Sequence, residues 1–256
     1  MTRHLSQVVQ QVEDVLEGVF TSVEKLATAT QDLFDGDRRP STADLEVIDP
    51  VAKAALGRED GLVVGAGYVA AEGALGDTCY WLQWWSDYET PRTWVPQRLL
   101  VQVDPGSESF NDYTTLPWFS APRADGRRHV TGPYVDFLCT DEYTLTFTIP
   151  ISGPSGFAGI VGADVYARVM ESVVAPILAG IEGPSALLNA AGRVVASSRS
   201  TCTTGDMVRH RAVTAELAEA AADGRGSAEP HSIEGGEVCP CAGTGLAVVT
   251  GTTVAA

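Results

Sequence analysis

A periodic run of apolar residues near the amino terminus constrains the fold more than any other feature. The apolar positions recur at spacings of one, three, four or seven residues: Leu5, Val8, Val9, Val12, Leu16, Val19, Phe20, Val23, Leu26 and Leu33. This spacing predicts one amphipathic helix over 5–34, which Asp35-Gly36-Asp37 ends. At ~1.5 Å per residue the helix is about 45 Å long, longer than one small domain is wide. Another part of the protein must therefore cover its apolar stripe along the whole length.

The charge balance excludes several kinds of partner. The 256 residues include 17 Lys and Arg against 33 Asp and Glu, which gives a formal net charge of −16. A duplex-binding protein needs a basic patch against the phosphates, so we expect no direct nucleic-acid binding. The same charge repels anionic membrane surfaces and attracts cations to a cleft lined by carboxylates. An acidic surface that only keeps the protein soluble is the simpler alternative.

The sequence contains neither the apolar core of a signal peptide nor a run of about 18 apolar residues that could span a membrane. We therefore expect a cytoplasmic protein, or an extracytoplasmic one if the chain is a sensor domain excised from a longer membrane protein. The five cysteines are Cys79, Cys139, Cys202, Cys239 and Cys241. An odd number without a secretory signal argues against a disulfide framework. Cys239-Pro240-Cys241 lacks a second Cys or His pair, so we predict no metal and no cofactor.

Beyond residue 40 the pattern predicts an α+β protein with two lobes. A short helix capped by Ser41 or Thr42 extends toward residue 56, with an interruption near Asp49-Pro50. Strands are predicted over 62–69, 79–85, 98–103, 130–139, 143–151 and 157–165, with an irregular stretch over 105–128. A helix over 166–180 precedes strands over 186–189, 193–198 and 246–252 and a helix over 211–222. The parts are the long helix in 1–40, a larger lobe in 41–165, a connecting helix in 166–183 and a smaller lobe in 184–256.

No catalytic motif was found. The chain has no Walker loop, no G-x-G-x-x-G, no G-x-S-x-G and no H-E-x-x-H. Gly65-Ala66-Gly67 is followed by Tyr68 and not by a helix start, so it does not indicate a dinucleotide site. A hydrolase that uses Cys139, or Asp136 paired with Asp141, is the enzyme alternative. No histidine is placed to activate the thiol, since His129 lies ten residues away, so we assign no catalytic residue.

A stretch of about 55 residues resembles the Cache family, the PAS-like sensor domains of chemoreceptors and sensor kinases. The resemblance rests on the segment from Asp112 to Phe119 (DYTTLPWF), on Gly132-Pro133-Tyr134-Val135-Asp136, on Thr144 to Pro150, and on Gly156 to Asp164. The long first helix and the small second lobe are similar to the two-lobed, double Cache form. The resemblance implies a sensor whose distal, larger lobe binds a ligand beneath the irregular stretch, against the central antiparallel sheet.

Two strand-borne acids suggest the chemistry of that site. Side chains alternate along a strand, so Tyr134 and Asp136 point to the same face. Asp164 ends a strongly apolar strand, where an unpaired buried carboxylate is costly. Two carboxylates in one small cavity repel each other, but a cation between them makes the arrangement favourable.

Aromatic residues complete the predicted site. Trp118 and Phe119 follow the irregular stretch, and Trp81 and Trp84 belong to an earlier strand. Aromatic faces around an ammonium each contribute ~0.5–2 kcal/mol of cation–π attraction. Core packing is the alternative for each ring, and for Trp85 we favour it. The predicted ligand-binding residues are thus Trp81, Trp84, Trp118, Phe119, Tyr134, Asp136 and Asp164.

The resemblance also narrows the ligand. Members that bind amino acids carry an arginine two residues before the tryptophan, where it holds the ligand's carboxylate. Leu116 occupies that position here, which is similar to the amine-recognising subgroup. The implied ligand is a biogenic amine, a polyamine or a quaternary ammonium, whose binding would be passed to a signalling or transcriptional partner. An amino-acid sensor and a ligand-free interaction module are the alternatives, and the long helix could also form a homodimer.

Overall fold

Helix α1 (Leu5–Phe34) runs along both sheets of the molecule, as its apolar stripe requires. The structure is a computed structural model that describes residues 4–36, 38–56, 61–87, 95–136, 142–223, 229–251 and 254, with side chains omitted over 219–223. The stripe is buried at Leu5, Val8, Val9, Val12, Leu16, Val19, Phe20, Val23, Leu26, Thr30 and Phe34. Leu33, predicted for the stripe, is only partly buried, and Phe34 takes the last core position.

The distal lobe contains a six-stranded antiparallel sheet. Its elements are helix α2 (Asp49–Ala55), strands β1 (Val63–Ala70), β2 (Leu82–Ser86) and β3 (Gln97–Arg98), helix α3 (Pro117–Asp125), and strands β4 (His129–Val135), β5 (Tyr143–Gly153) and β6 (Gly156–Tyr166). The strand order is β3-β2-β1-β6-β5-β4. The two long strands β5 and β6 form the centre of this order together with β1. One face of the sheet packs against α1, and the other is covered by the segment that leads into α3.

The proximal lobe repeats this plan on a smaller scale. Helix α4 (Ala167–Leu178) leads from the distal lobe to strands β7 (Ser185–Asn189) and β8 (Val194–Ser197), helix α5 (Arg211–Asp223), and strands β9 (His231–Ile233), β10 (Gly236–Cys241) and β11 (Leu246–Gly251). The strand order is β8-β7-β11-β10-β9, and every pairing is antiparallel. Two layers of side chains cover the sheet, one beneath α1 and α4 and the other beneath α5.

Several predicted elements need correction. The predicted third strand is only two residues long, and the predicted irregular stretch contains α3, which begins at Pro117 and ends where Gly126 adopts a left-handed φ of 69°. Proline in the first turn and glycine after the last are common helix boundaries. Before α2 the chain forms a 3₁₀ helix (Asp44–Ile48) in place of a capped α-helix. Ser41 instead donates to Asp44, and the hydroxyl of Thr42 donates to Asp77.

The proximal sheet has two strands that the sequence pattern did not predict. Strands β9 and β10 lie beside β11, and β10 contains Pro240, which has no N–H to donate. Proline is tolerated in a strand where no neighbour needs that donor. Here β9 pairs only with Gly236–Val238, so Pro240 lies beyond the end of β9 and pairs only with Ala247 of β11 in the described part of the sheet.

One apolar core links α1 with both sheets. It joins buried residues of α1 to Leu145, Phe147 and Val161 of the distal sheet and to Leu187 and Val248 of the proximal sheet. No helix among the described residues is long and apolar enough to cross a bilayer. The large hydrophobic residues that stay exposed all lie outside α1: Val47, Val95, Leu100, Tyr143 and Met207. The homodimer through α1 stays a prediction that no exposed apolar face of the helix supports.

Candidate ligand-binding site

A small cavity lies on the face of the distal sheet that is turned away from α1. It is lined by Val69, Leu82, Trp84, Leu99, Trp118, Tyr134, Asp136, Thr146 and Asp164. These residues come from β1, β2, β4, β5 and β6, and from the covering segment around Leu99 and Trp118. The cavity volume of ≈ 20 Å³ is enough for about one water molecule. A larger molecule requires the covering side chains to move outward.

Asp164 is one of two buried acids at this cavity, and a short chain of hydrogen bonds orients it. The hydroxyl of Thr146 donates to Oδ1 of Asp164 at 2.7 Å, and the same hydroxyl is 2.7 Å from the hydroxyl of Tyr134. Thr146 stands opposite Asp164 in the β5–β6 register, which brings the two side chains onto one face. Strand pairing therefore aims the carboxylate into the cavity.

Burial and a second acid raise the pKa of Asp164 to about 8. Loss of hydration is the largest cause, the negative charge of Asp136 adds to it, and the hydrogen bond from Thr146 opposes it. Asp136 is itself only 4% exposed and follows β4, where its backbone N–H donates to the carbonyl of Glu142 at 3.0 Å. None of the described residues that line this cavity is a lysine or an arginine. The described lining therefore brings two acidic side chains together on one face of the sheet.

Two glycines in β1 allow an indole ring to lie flat on the sheet. A Cβ atom at Gly65 would lie 2.8 Å from Nε1 of Trp84, and one at Gly67 would lie 2.7 Å from its Cα. The far edge of the ring approaches β6, where a Cβ at Gly162 would be 3.4 Å away. The Gly65-Ala66-Gly67 run thus serves the close approach of β2 and its tryptophan to β1.

The segment that covers the cavity is fixed to the sheet by Tyr113. Its hydroxyl donates to the carbonyl of Ala70 at 2.8 Å and accepts from the backbone N–H of Trp81 at 3.1 Å. Burial raises the pKa of Tyr113, so the phenol stays protonated and can donate. Trp118 stacks on Tyr113 with ring centroids 6.4 Å apart, and α3 begins just before it. This arrangement holds one indole over the cavity.

Five of the seven predicted residues line the cavity together: Trp84, Trp118, Tyr134, Asp136 and Asp164. The structure places Trp81 outside it, on the other side of the strand, where Nε1 donates to Gln83 at 3.1 Å and Arg98 lies over the ring. Phe119 is also outside the lining, because it is fully buried behind Trp118, between Tyr113 and Phe157.

Sequence reasoning missed Thr146 and the apolar lining at Val69, Leu82 and Leu99. A signal for Thr146 was present, since Thr144, Thr146 and Thr148 alternate with apolar residues along β5. That alternation predicted a strand with one face in water, yet all three threonines are buried. The polar face of β5 lies under the covering segment, so the pattern marks a polar pocket floor and not a solvent-exposed surface.

Trp85 belongs to a separate network under α2, as the core interpretation of this residue predicts. Its Nε1 donates to Asp49 at 2.8 Å, and the ammonium of Lys53 lies 3.6 Å from the ring centroid.

The described residues contain no group of His, Cys, Asp and Glu that could hold a metal ion. Cys239 and Cys241 are buried thiols that form no disulfide, and burial raises the pKa of each. Of the residues considered for hydrolysis, Cys139 and Asp141 lie outside the described residues. His129 is hydrogen-bonded to Asp125 at the far end of β4.

Strand β4 connects the cavity to the rest of the molecule. Just before its first residue, Arg128 donates to Glu17 of α1 at 2.9 Å and to the carbonyl of Gly243 in the proximal lobe at 3.3 Å. Near its middle, the carbonyl of Gly132 accepts from the side chain of Asn189 at 2.7 Å. A short edge strand thus touches the cavity, the long helix and the second lobe.

A larger opening of ≈ 440 Å³ lies between the lobes, next to this strand. Its described basic side chains are already paired, Arg128 with Glu17, and both Arg127 and His129 with Asp125. It contains neither a fully buried acid nor an aromatic wall. Buried acids and aromatic rings are therefore found together in the smaller cavity, although the larger opening offers more room.

The fold is similar to that of several solved sensor domains. The extracellular domain of mmHK1S-Z2, a protein named as a histidine kinase, superposes with a TM-score of 0.62 at 15% identity, over 98% of this chain and 96% of that one. The domain of the Pseudomonas aeruginosa PAO1 amino acid chemoreceptor PctC with GABA gives 0.53 at 18% identity, over 96% and 94%. The domain of the Campylobacter jejuni chemoreceptor Tlp3 with L-norvaline gives 0.51 at 10% identity, over 96% and 87%.

At the level of sequence, no protein-family model and no curated protein matches the chain. The structural agreement nevertheless extends over nearly the full length of this chain and of the solved domains. The chain therefore has the α+β, double Cache fold that its sequence predicts, a fold found in the sensor domains of histidine kinases and chemoreceptors.

Proposed function

We propose that the protein is a non-catalytic sensor domain that binds a small organic cation in the distal cavity. Candidate ligands are a biogenic amine, a polyamine or a quaternary ammonium. Occupancy is passed to a signalling or transcriptional partner. The observation that carries the proposal is the pair of buried acids, Asp136 and Asp164, that line one small cavity beside the indole rings of Trp84 and Trp118.

An empty site of this kind holds a proton in place of the ligand. With a pKa of about 8, Asp164 is mostly protonated at neutral pH, which removes one of the two buried charges. A cation between the carboxylates favours the ionised form instead and releases that proton. Binding of the cation thus exchanges one positive charge, the proton on Asp164, for another.

The walls of the cavity suit a cation with an apolar surface. Trp84 lies across the floor and Trp118 closes the cavity from above. An ammonium within about 6 Å of an indole face gains roughly 0.5–2 kcal/mol, and tryptophan is the best partner of the three aromatic residues. Trp84 and Trp118 would therefore add to the attraction of the acids.

Ligand binding requires the cover to open. A volume of ≈ 20 Å³ is far below the roughly 300 Å³ of typical ligand pockets. Trp118 belongs to the covering segment and lies outside the strands of the sheet, so its displacement leaves the strand pairings intact. Leu99 is held more firmly, because its backbone N–H donates to the carbonyl of Trp84 at 2.8 Å. Closure over a ligand would pull this segment and β4 together, and β4 contacts α1 and the proximal lobe through Arg128 and Asn189.

Two alternatives are supported by specific observations. PctC and Tlp3 were solved with GABA and L-norvaline, which carry carboxylates as well as amino groups. Two observations argue against an amino acid: the described lining contains no lysine or arginine, and Leu116 stands where the resemblance expects arginine. A ligand-free interaction module is favoured by the small cavity volume. As to compartment, the extracellular origin of the mmHK1S-Z2 domain supports the extracytoplasmic alternative.

The test is a thermal-unfolding panel followed by calorimetry on the whole chain. Putrescine, spermidine and choline represent the cations, and GABA and L-norvaline the amino acids. A cation at 100 times its Kd adds about 2.7 kcal/mol, which raises the Tm by several degrees. We expect Asp164→Asn to remove this shift, while Asp32→Asn, at an exposed site on α1, leaves it unchanged. A shift from the amino acids alone would favour the amino-acid sensor, and no shift from any compound the interaction module.

A further inference from the structure

We propose that the ligand carries a neutral hydrogen-bond acceptor close to its positive charge, and that this acceptor binds the indole N–H of Trp84. The inference rests on the proposed function, because it concerns the same cavity and adds a second chemical requirement to its ligand. The expected ligand is an amine that also carries a hydroxyl, ether or carbonyl oxygen. Two carbon atoms separate this oxygen from the nitrogen.

The indole N–H of Trp84 is the observation behind this proposal. Trp84 is 4% exposed and lines the cavity, yet Nε1 has no hydrogen-bond acceptor within the described part of the chain. Buried tryptophans usually find a partner for this group, and a buried donor without an acceptor is costly. The two neighbouring tryptophans do have acceptors for this group: the indole N–H of Trp81 donates to Gln83, and that of Trp85 donates to Asp49.

The position of this donor relates it to the acids. A Cβ at Gly65 would be 2.8 Å from Nε1 of Trp84 and 3.2 Å from Oδ2 of Asp164. The two atoms therefore lie on either side of the same point above β1, no more than about 6 Å apart. The missing Cβ at Gly65 lets the indole edge and the carboxylate come this close to each other. One small fragment in the cavity, which both residues line, can thus meet the N–H with an acceptor and the carboxylate with a cation.

The acceptor should be neutral. A carboxylate on the ligand would bring a third acid beside Asp136 and Asp164, and the described residues of the lining include no lysine or arginine to balance it. A hydroxyl or carbonyl oxygen accepts the indole proton without adding charge. An alkylammonium with no oxygen would satisfy the acids but would leave Trp84 without a partner.

Two matched ligand pairs test the proposal by calorimetry. Ethanolamine is compared with n-propylamine, and choline with n-propyltrimethylammonium, so that each pair differs in a hydroxyl replaced by a methyl group. We expect the oxygen-containing member to bind about tenfold more tightly, a factor that corresponds to 1.4 kcal/mol. In Trp84→Phe this preference should disappear. Trp85→Phe, which removes an indole on the opposite face of β2, should retain it.

A second measurement does not depend on the folding of a variant. With ¹⁵N-labelled tryptophan, the indole proton of Trp84 should move downfield on addition of ethanolamine and much less on addition of n-propylamine. Equal affinities within both pairs, or a preference that survives in Trp84→Phe, would overturn the acceptor while the cation site stands. Tighter binding of glycine than of ethanolamine would overturn the neutral acceptor. If none of the four cations binds, the proposed function fails as well.

Discussion

The two lobes share one plan, in which an antiparallel sheet packs one face on α1 and covers the other with a helix or loop, but they use the second face differently. In the proximal lobe that face is filled by small and branched side chains such as Val213, Val238 and Val249, and no buried acid lies among its described residues. In the distal lobe the corresponding face carries Asp136 and Asp164 beside the indoles of Trp84 and Trp118. The difference teaches that the fold supplies a covered sheet face, and that a few polar substitutions decide whether the face becomes a core or a pocket.

The largest effect that separates the two faces should be the pH dependence of stability. The pKa of Asp164 is about 8 in the folded protein and about 4 in an unfolded chain. Between these values the folded state binds one more proton than the unfolded state does. The contribution of Asp164 to stability is therefore fully present below pH 4 and is lost as the pH rises through 8. We expect this group to remove up to about 5 kcal/mol over that interval. Urea unfolding from pH 5 to 8.5 should show a weaker decline in Asp164→Asn.

The exposed control Asp32→Asn should keep the wild-type dependence. Parallel curves for wild type and Asp164→Asn would mean that this carboxyl does not titrate at a raised pKa.

An acid introduced into the proximal core tests whether that sheet face can also accommodate a buried carboxylate. Val249 is fully buried among apolar neighbours, so Val249→Asp has no threonine or cavity to receive its carboxylate. We expect a loss of about 4 kcal/mol at pH 8, measured by urea unfolding. The control Val249→Thr adds a hydroxyl at similar volume and should cost less. A tolerated aspartate would show that the proximal face can also accommodate an acid.

The pH dependence of cation affinity should also report the protonation of Asp164. If choline displaces the proton of Asp164, its affinity should increase by up to about tenfold per pH unit below pH 8 and level off above it. Choline itself does not titrate, so calorimetry in buffers of different ionisation enthalpy can count the released proton. Residual binding by Asp164→Asn should be independent of pH over the same range. A pH-independent affinity in the wild type would exclude the exchange of a proton for the ligand.

The smallest effect is expected at the junction of the two lobes. Arg128 binds Glu17 and lies 4.2 Å from the centroid of Phe20, but the ion pair is half exposed. Glu17→Gln should therefore cost no more than about 1 kcal/mol, and the difference should shrink in high salt. Thermal unfolding at two salt concentrations measures this. Glu24→Gln, with its carboxylate 3.9 Å from Arg128, is the matched control with a weaker effect.

Local patterns predicted much of this structure. The spacing in α1 encodes both a helix and the face it buries, and the alternation in β5 and the apolar run in β6 encode the central strands. The acids of the site followed from the resemblance, together with Trp118. These features depend on neighbours in sequence, which is why they can be derived without coordinates.

The errors arose where distant residues decide the outcome. Trp81 and Trp84 were assigned to one site, although residues three apart on a strand point to opposite faces. Which of them faces the cavity depends on the glycines of β1 and β6 that leave room for one ring. Phe119 was assigned with Trp118 because the helix around them was not predicted, and adjacent helical residues project about 100° apart. Strand β10 was missed because its proline is acceptable only where β9 ends.

The position of α1 has a consequence for how the protein unfolds and transmits force. Its buried stripe belongs to a single apolar cluster that includes residues of both sheets, from Phe147 to Val248. Removal of the helix would expose both sheets at once, so the lobes should melt in one cooperative transition and not as separable units. A ligand-driven screw motion of α1 at the distal sheet would also displace its contacts with the proximal sheet, tens of ångströms away. The reason is that α1 is one continuous helix of 30 residues.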